Sequence, residues 1–296
     1  IVLDSAGRVS TEIWLTSGVT YKFVLKTSVS VQIGSYDNIS GATDMQAALA
    51  ASSGSSLIGY LPAGSSAVAT TVQTKLRQTV SIVDFGASPS ASASVNSAAI
   101  QAAIDSGANN VFVPGGSYNI STTILIANKN GFVLQGAADS STNFTWTGTA
   151  SGTMITLRGS FFCAINDLWI NGNNSAGICL YMPGLNADSV TDTYINSQNE
   201  IARCRIGSAV AGSIGVKLGT TTGSQLDNIT FYKCFFENSG KHVTVTNQVS
   251  LNFTFNDCVF SGYSVTPTTV GVDIISGGLV NFTGCQFLSY ASIAHV

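Results

Sequence analysis

The C-terminal half of the chain repeats one short apolar motif. It reads Ile165-Asn-Asp-Leu168-Trp-Ile170, Ile201-Ala-Arg-Cys204-Arg-Ile206, Phe231-Tyr-Lys-Cys234-Phe-Phe236, Phe255-Asn-Asp-Cys258-Val-Phe260 and Phe282-Thr-Gly-Cys285-Gln-Phe287. Each copy is [Ile/Phe]-x-x-[Leu/Cys]-x-[Ile/Phe], and the central positions 168, 204, 234, 258 and 285 step by 36, 30, 24 and 27 residues. Periods of roughly 20–50 residues mark solenoids. Strand-rich units of this length predict a right-handed parallel β-helix with one coil per repeat. Strand side chains alternate in and out. Ile229, Phe231, Phe253 and Phe255 share one parity, whereas Cys234, Phe236, Cys258 and Phe260 share the other. The inward parity therefore switches across Asn166-Asp167, Ala202-Arg203, Tyr232-Lys233, Asn256-Asp257 and Thr283-Gly284. Asn, Asp and Gly tolerate the left-handed backbone of a sharp bend, which predicts a two-residue corner between two short strands in every coil.

Stacking the coils has consequences for side chains. The cysteines form an inward ladder, which reads either as small buried reduced thiols or as vertical disulfides between coils about 4.8 Å apart. Packing better explains a repeated position. Reduced thiols also fit folding in a bacterial cytosol. At the corners Asp167 lies over Arg203 and Lys233 over Asp257, predicting weak exposed ion pairs of roughly 0–1 kcal/mol. Trp169, Arg205, Phe235 and Val259 stack on the outside, a face that an overlying loop or a trimer interface would cover.

Upstream the pattern differs. Glu12-Ile13-Trp14-Leu15, a turn at Ser17-Gly18, the alternating Tyr21–Lys26 and the series Val29, Val31, Ile33 predict a small β-meander over 1–41. It is too small for a large core and needs partner chains for stability. Residues 42–79 read as a helical connector. Its first helix covers 43–51, with Thr43 or Asp44 as N-cap, and its second about 67–78, with Val68, Val72 and Leu76 on one face. Residues 80–87 read as a strand ending in a Gly turn, 96–105 as a helix with Ile100 and Ile104 on one face, and 111–113 and 118–120 as strands around Pro114-Gly-Gly116. The β-helix then occupies 80–296.

Composition narrows the function. Only 9% of the 296 residues are charged, against roughly 25% in ordinary globular proteins. Lys+Arg of 12 against Asp+Glu of 15 gives a net charge of −3, which disfavours nucleic-acid binding. No apolar run approaches the roughly 18–20 residues of a membrane span. The six cysteines include no CxxC pair. The chain begins at Ile1 without a visible signal peptide and stops at Val296 after an apolar segment, so we expect it to be part of a longer polypeptide. In a β-helix, like charges repeated on successive coils would repel, so an outer surface of Ser, Thr and Asn follows from the repeat and suits neutral polar groups such as sugars.

Three segments resemble the pectate-lyase-like superfamily: Val80-Ser-Ile-Val-Asp-Phe-Gly-Ala87, Asn96-Ser-Ala-Ala-Ile-Gln-Ala-Ala-Ile-Asp105 and Val111-Phe-Val-Pro-Gly-Gly-Ser-Tyr-Asn-Ile120. In that family they form the first strand, an N-terminal capping helix and the opening strands of the β-helix. Ser88–Ser94 replaces the acidic stretch usual there. Leu3-Asp-Ser-Ala-Gly-Arg8, Glu12–Leu15, Tyr21–Leu25 and Tyr36-Asp-Asn-Ile39 resemble the N-terminal virion-binding module of bacteriophage tailspikes and tail fibres. Ser56–Tyr60 through Thr70–Leu76 into Asp84-Phe-Gly86 resembles their usual junction. The resemblance implies a homotrimer that docks on a phage tail, baseplate or connector protein and binds, and often cleaves, host surface polysaccharide. Such a protein resides in the virion and folds in the host cytoplasm. A non-catalytic adhesin and a secreted polysaccharide lyase or hydrolase stay open as alternatives.

Glycoside hydrolysis needs two carboxylates about 5–9.5 Å apart. The candidates are Asp167, Asp188, Asp192, Glu200, Asp227, Glu237, Asp257 and Asp273, with Asp188 and Asp192 close in sequence. Each is better explained as a solvated loop or corner carboxylate, so no catalytic residue is assigned. His242 and His295 are isolated, so no triad, metal site or cofactor is expected. Gly115-Gly116 lacks the Lys of a phosphate loop. Trp146 and Trp169 offer faces for sugar stacking, or else pack in the core or an interface.

Overall fold

In a computed structural model, residues 2–9, 13, 15–16, 19–39, 42–207, 213–222, 225–246, 250–262 and 270–288 are described. The chain divides into two compact units, Ile1–Arg77 and Gln78–Val296.

The first unit is built on an antiparallel hairpin, Tyr21–Lys26 with Gln32–Ile39. Tyr21, Phe23 and Leu25 point to the more protected side and Lys22, Val24 and Lys26 to solvent, as the alternation predicts. Glu12, Trp14, Ser17 and Gly18 lie outside the described residues, as do the side chains of Thr43 and Asp44. The first connector helix spans Ala42–Ala50. The second is shorter than its apolar spacing implies: it covers only Val72–Leu76, with Thr71 as N-cap. Thr70–Thr71 instead pairs with Gly59–Tyr60 as a two-stranded sheet, and Val68 stays exposed ahead of the helix. The β-branched residues between Val68 and Val72 favour extended backbone there.

The second unit is a parallel β-solenoid. Each coil contributes one strand to each of three sheets. The first sheet stacks Val80–Ser81, Asn110–Val113, Val133–Gly136, Ala164–Asn166, Glu200–Ala202, Leu226–Tyr232, Ser250–Asn256 and Val280–Thr283. The second runs from Gly116–Ile120 to Gln286–Leu288. The third stacks Ile124–Ala127, Thr153–Arg158, Ile178–Met182, Ile214–Leu218, Lys241–Val245 and Val270–Ile274.

The repeat lies at the junction of the first two sheets. Ile165, Ile201, Phe231, Phe255 and Phe282 are in register, as are Ile170, Ile206, Phe236, Phe260 and Phe287. Between them the second corner residue is left-handed in all five repeats: Asp167, Arg203, Lys233, Asp257 and Gly284 have φ of 51–65°. The corner N–H groups of the first four donate to the next coil, for example Arg203 N to Tyr232 O at 2.8 Å. Leu168, Cys204, Cys234 and Cys258 follow immediately and are buried. All six cysteines are free. The ladder thiols donate to carbonyls of the preceding coil: Cys204 to Ile165 O at 3.5 Å, Cys234 to Ile201 O at 3.2 Å and Cys285 to Phe255 O at 3.2 Å. Cysteine combines a small apolar volume with a weak donor, which explains its recurrence without disulfides. At the inner wall the phenylalanines form two columns with centroids 4.6–5.1 Å apart, Phe231–Phe255–Phe282 and Phe236–Phe260–Phe287.

Residues 80–87 depart from the strand expected from their pattern. Only Val80–Ser81 pairs, and Ile82–Phe85 is a 3-10 turn closed by Gly86 at φ 97°. Ser81 and Asp84 cap that turn reciprocally. This capping chemistry overrides the β propensity of Val80-Ser-Ile-Val83. The following helix spans Ala93–Asp105, with Ser92 as N-cap, and buries Ala99, Ile100, Ala103 and Ile104 against the first coil. Gln101 completes the end of the third sheet: its amide accepts from Leu125 N at 2.8 Å and donates to Leu125 O at 2.9 Å. An open sheet edge is thereby blunted.

Candidate functional site

The third sheet carries an unusual outer row. Leu125, Thr156, Tyr181, Lys217, Thr244 and Asp273 occupy the same register on six successive coils. In the strand Ile178–Met182, Cys179 and Leu180 are both buried, so Ile178 and Tyr181 face outward. Ile214–Leu218 repeats this pattern and turns Lys217 out. The Lys217 ammonium lies 5.1 Å from the centre of the Tyr181 ring. On the neighbouring coils Lys241 Nζ pairs with Asp273 Oδ2 at 2.5 Å. The hydroxyl of Thr244, between Lys217 and Asp273, is buried and makes no hydrogen bond.

A loop over 183–195 borders this row. Asn196 pins it at both ends, its amide donating to Leu157 O at 2.8 Å and Pro183 O at 2.9 Å. Arg158, the last residue of its strand, clips the middle. Its Nε donates to Asp192 Oδ1 at 2.9 Å and its Nη2 to Ala187 O at 3.0 Å. Both side chains of this pair are at most 9% exposed. Asp192 Oδ2 also accepts from Asn186 N, while Asn186 Oδ1 accepts from Asp192 N, each at 2.9 Å. Asn186, Asp188 and Ser189 all adopt left-handed backbone, with φ of 54°, 56° and 59°. Such strain persists only where the surroundings impose it. It delivers Asp188, exposed, to the Tyr181 hydroxyl, which donates to Asp188 Oδ2 at 2.9 Å. Burial, and secondarily the Asp188 carboxylate, push the Tyr181 phenol upward. The phenol therefore stays protonated and acts as a donor rather than a base.

Against solved structures the solenoid finds counterparts. Bacteriophage CBA120 tailspike protein 3 superposes with a TM-score of 0.60 at 17% identity, over 88% of this chain and 42% of that one. The ORF18 protein of Geobacillus virus E2 gives 0.52 at 17% identity, over 72% of this chain and 49% of that one. The fold is the parallel β-helix that these two proteins share. The present chain spans less than half the length of either protein. No protein-family model and no curated protein matches its sequence.

On this tailspike-like β-helix the candidate carboxylates are dispersed over three faces. Asp167 sits at the corner between the first and second sheets, held by Arg203 at 2.7 Å and Gln135 at 2.7 Å. The Arg203 hydrogen bond keeps its carboxyl below the usual range. Glu200 is exposed on the first sheet, and Asp227 on the same sheet accepts from Leu251 N at 3.1 Å. Glu237 on the second sheet pairs with Arg205, and Asp273 on the third with Lys241. Asp188 and Asp192 share the loop but differ in role. The Asp192 side chain is 1% exposed and paired with Arg158. Its carboxylate is taken up by Arg158 and the backbone N–H of Asn186, which hold the loop. Asp257 is exposed at its corner and makes no ion pair with Lys233 among the described residues; Lys233 turns instead over the Tyr232 ring, 5.1 Å from its centre. The aromatic neighbour outcompetes an exposed carboxylate.

Trp146 is not a sugar platform. It is 2% exposed and its indole N–H donates to Thr149 O at 3.1 Å. Trp169 is half-buried on the second sheet with the Arg205 guanidinium 4.3 Å from its ring centre. His242 is buried beside Phe260, and His295 lies outside the described residues. Among the described residues no group of three or more His, Cys, Asp or Glu is arranged for a metal, and no helix is long and apolar enough to cross a membrane. Arg158, Tyr181, Lys217 and Lys241 are not singled out by the sequence pattern. Their signal is faint: Tyr181, Lys217, Thr244 and Asp273 step by 36, 27 and 29 residues, in strands outside the [Ile/Phe]-x-x-[Leu/Cys]-x-[Ile/Phe] motif.

Proposed function

We propose that this chain belongs to a phage tailspike that binds host cell-surface polysaccharide along its β-helix. The observation that carries this reading is the outer row of the third sheet, where Tyr181, Asp188 and Lys217 gather hydrogen-bonding groups on a solenoid that otherwise has few charges. Successive coils repeat at about 4.8 Å, close to the length of one sugar ring, so a glycan lying along the axis meets one coil per residue. The structural likeness to a phage tailspike supports this reading. Residues 1–41 are then the virion-docking module and 42–79 its connector, and the protein is a homotrimeric component of the phage tail. Depolymerase activity is proposed for the whole protein rather than for Asp188 and Asp192.

A direct test is to incubate the full-length protein with host capsule or O-antigen. Bound polymer together with released oligosaccharide supports a depolymerase. Binding without release leaves attachment and removes cleavage. Neither binding nor release overturns the reading.

A further inference from the structure

The solenoid places its charges sparingly, and most of its cations have a clear partner. Arg158 pairs with Asp192, Arg203 with Asp167, Arg205 with Glu237 and Lys241 with Asp273. Lys129 donates to Ile104 O at 2.8 Å. Lys233 and Lys217 make no ion pair among the described residues, and each lies over a tyrosine ring. Only Lys217 stands in a built surrounding. Tyr181 occupies its register position on the preceding coil and Thr244 on the following one. Thr244 is 3% exposed, and its hydroxyl has no hydrogen-bond partner. Leaving a buried hydroxyl unpaired is costly, and a ligand acceptor seated beside Lys217 would relieve it once the side chains that cover the hydroxyl part. The remaining charges on the face are already engaged: Lys241 with Asp273, Arg158 with Asp192, and Asp188 with the Tyr181 hydroxyl.

We infer that Lys217 and Thr244 form an anion subsite for the carboxylate of an acidic sugar, while Asp188 accepts hydrogen bonds from the hydroxyls of the adjacent sugar. This rests on the polysaccharide-binding reading and names its ligand class: a uronate-containing polymer rather than a neutral one. The ammonium supplies charge without bidentate geometry, and Thr244 supplies one donor to the second carboxylate oxygen. Tyr181 holds the lysine over its ring and fixes Asp188. The site therefore spans three successive coils: those of Lys217 and Thr244 for the carboxylate, and that of Tyr181, with Asp188 in the loop after it, for the hydroxyls.

The experiment uses an array of bacterial capsular polysaccharides of known repeat composition. Each is displayed twice, native and after carbodiimide–borohydride reduction of its uronic acids to neutral alcohols. The protein is expected to bind a native uronate-containing polymer and to lose at least about tenfold in affinity on the reduced form. Lys217→Met, which retains the stem over Tyr181, is expected to lose a similar factor on the native polymer and nothing on the reduced one. Thr244→Val is expected to weaken only the native polymer. Equal binding to both forms, or binding confined to neutral polymers, overturns the acidic-sugar inference and leaves the polysaccharide reading standing. Binding to no polysaccharide overturns both.

Discussion

At the scale of single residues, the buried polar groups separate structural from functional roles. His242 is fully buried, and burial lowers its pKa from 6.5 to about 4. The unfolded chain takes up this proton below about pH 6.5, while the folded one resists it down to about pH 4. Stability therefore falls as pH drops through that window, by a few kcal/mol at the acid end. His242→Gln is expected to flatten the dependence, measured by urea denaturation at about pH 4.5 and 7; an unchanged slope would assign the acid sensitivity elsewhere. Arg158 shows the opposite solution to burial. Its guanidinium and Asp192 leave water together, and removing either alone would strand a buried charge. That clip turns an irregular, strained loop into a fixed support for Asp188.

At the scale of elements, the corner and the column decide stability. Phe255 stacks on Phe231 and Phe282 and meets Phe236 and Phe260 edge-on. Phe255→Ala is expected to cost about 3–5 kcal/mol. Cys258→Ser is expected to be tolerated far better, because a hydroxyl can also donate to Phe231 O, which the thiol now reaches at 3.5 Å. Denaturation midpoints of the two variants check the ranking, and equal losses would refute the packing account of the column. The sequence repeat makes these elements legible because inward positions need the same volume on every coil. Residues 80–87 and 67–78 differ from their apolar spacing for a local reason. A Ser–Asp capping box and a β-branched stretch each outweigh the periodicity.

At the scale of the whole molecule, the two units differ in how they shelter apolar surface. The solenoid buries an unbroken core from Ile82 to Phe260. In the first unit Val29, Val31, Ile33, Tyr36 and Met45 are 60–77% exposed. A lone two-stranded hairpin is marginal in water. Further copies of the chain are expected to cover these side chains, giving a trimeric mass in light scattering. A monomeric mass with the hairpin still ordered by amide exchange would count against the homotrimer. A groove of about 910 Å³, lined by Val9, Phe23, Leu25 and Tyr36 among others, lies in the same unit.

The repeat, the coil corners and the buried cysteine ladder follow from the order of residues alone. Inward packing and left-handed corners constrain residue type at fixed spacing, and such constraints recur where a pattern can be seen. The site does not obey that rule. Tyr181, Lys217 and Thr244 meet because coils of unequal length bring the third sheet into register. Asp188 joins them only because Arg158, thirty residues earlier, is held against Asp192. Outward positions carry no shared volume requirement, so their neighbours are set by coil stacking and by one buried ion pair. Only the folded chain reveals which charges are already neutralised and which lysines lie over tyrosine rings instead.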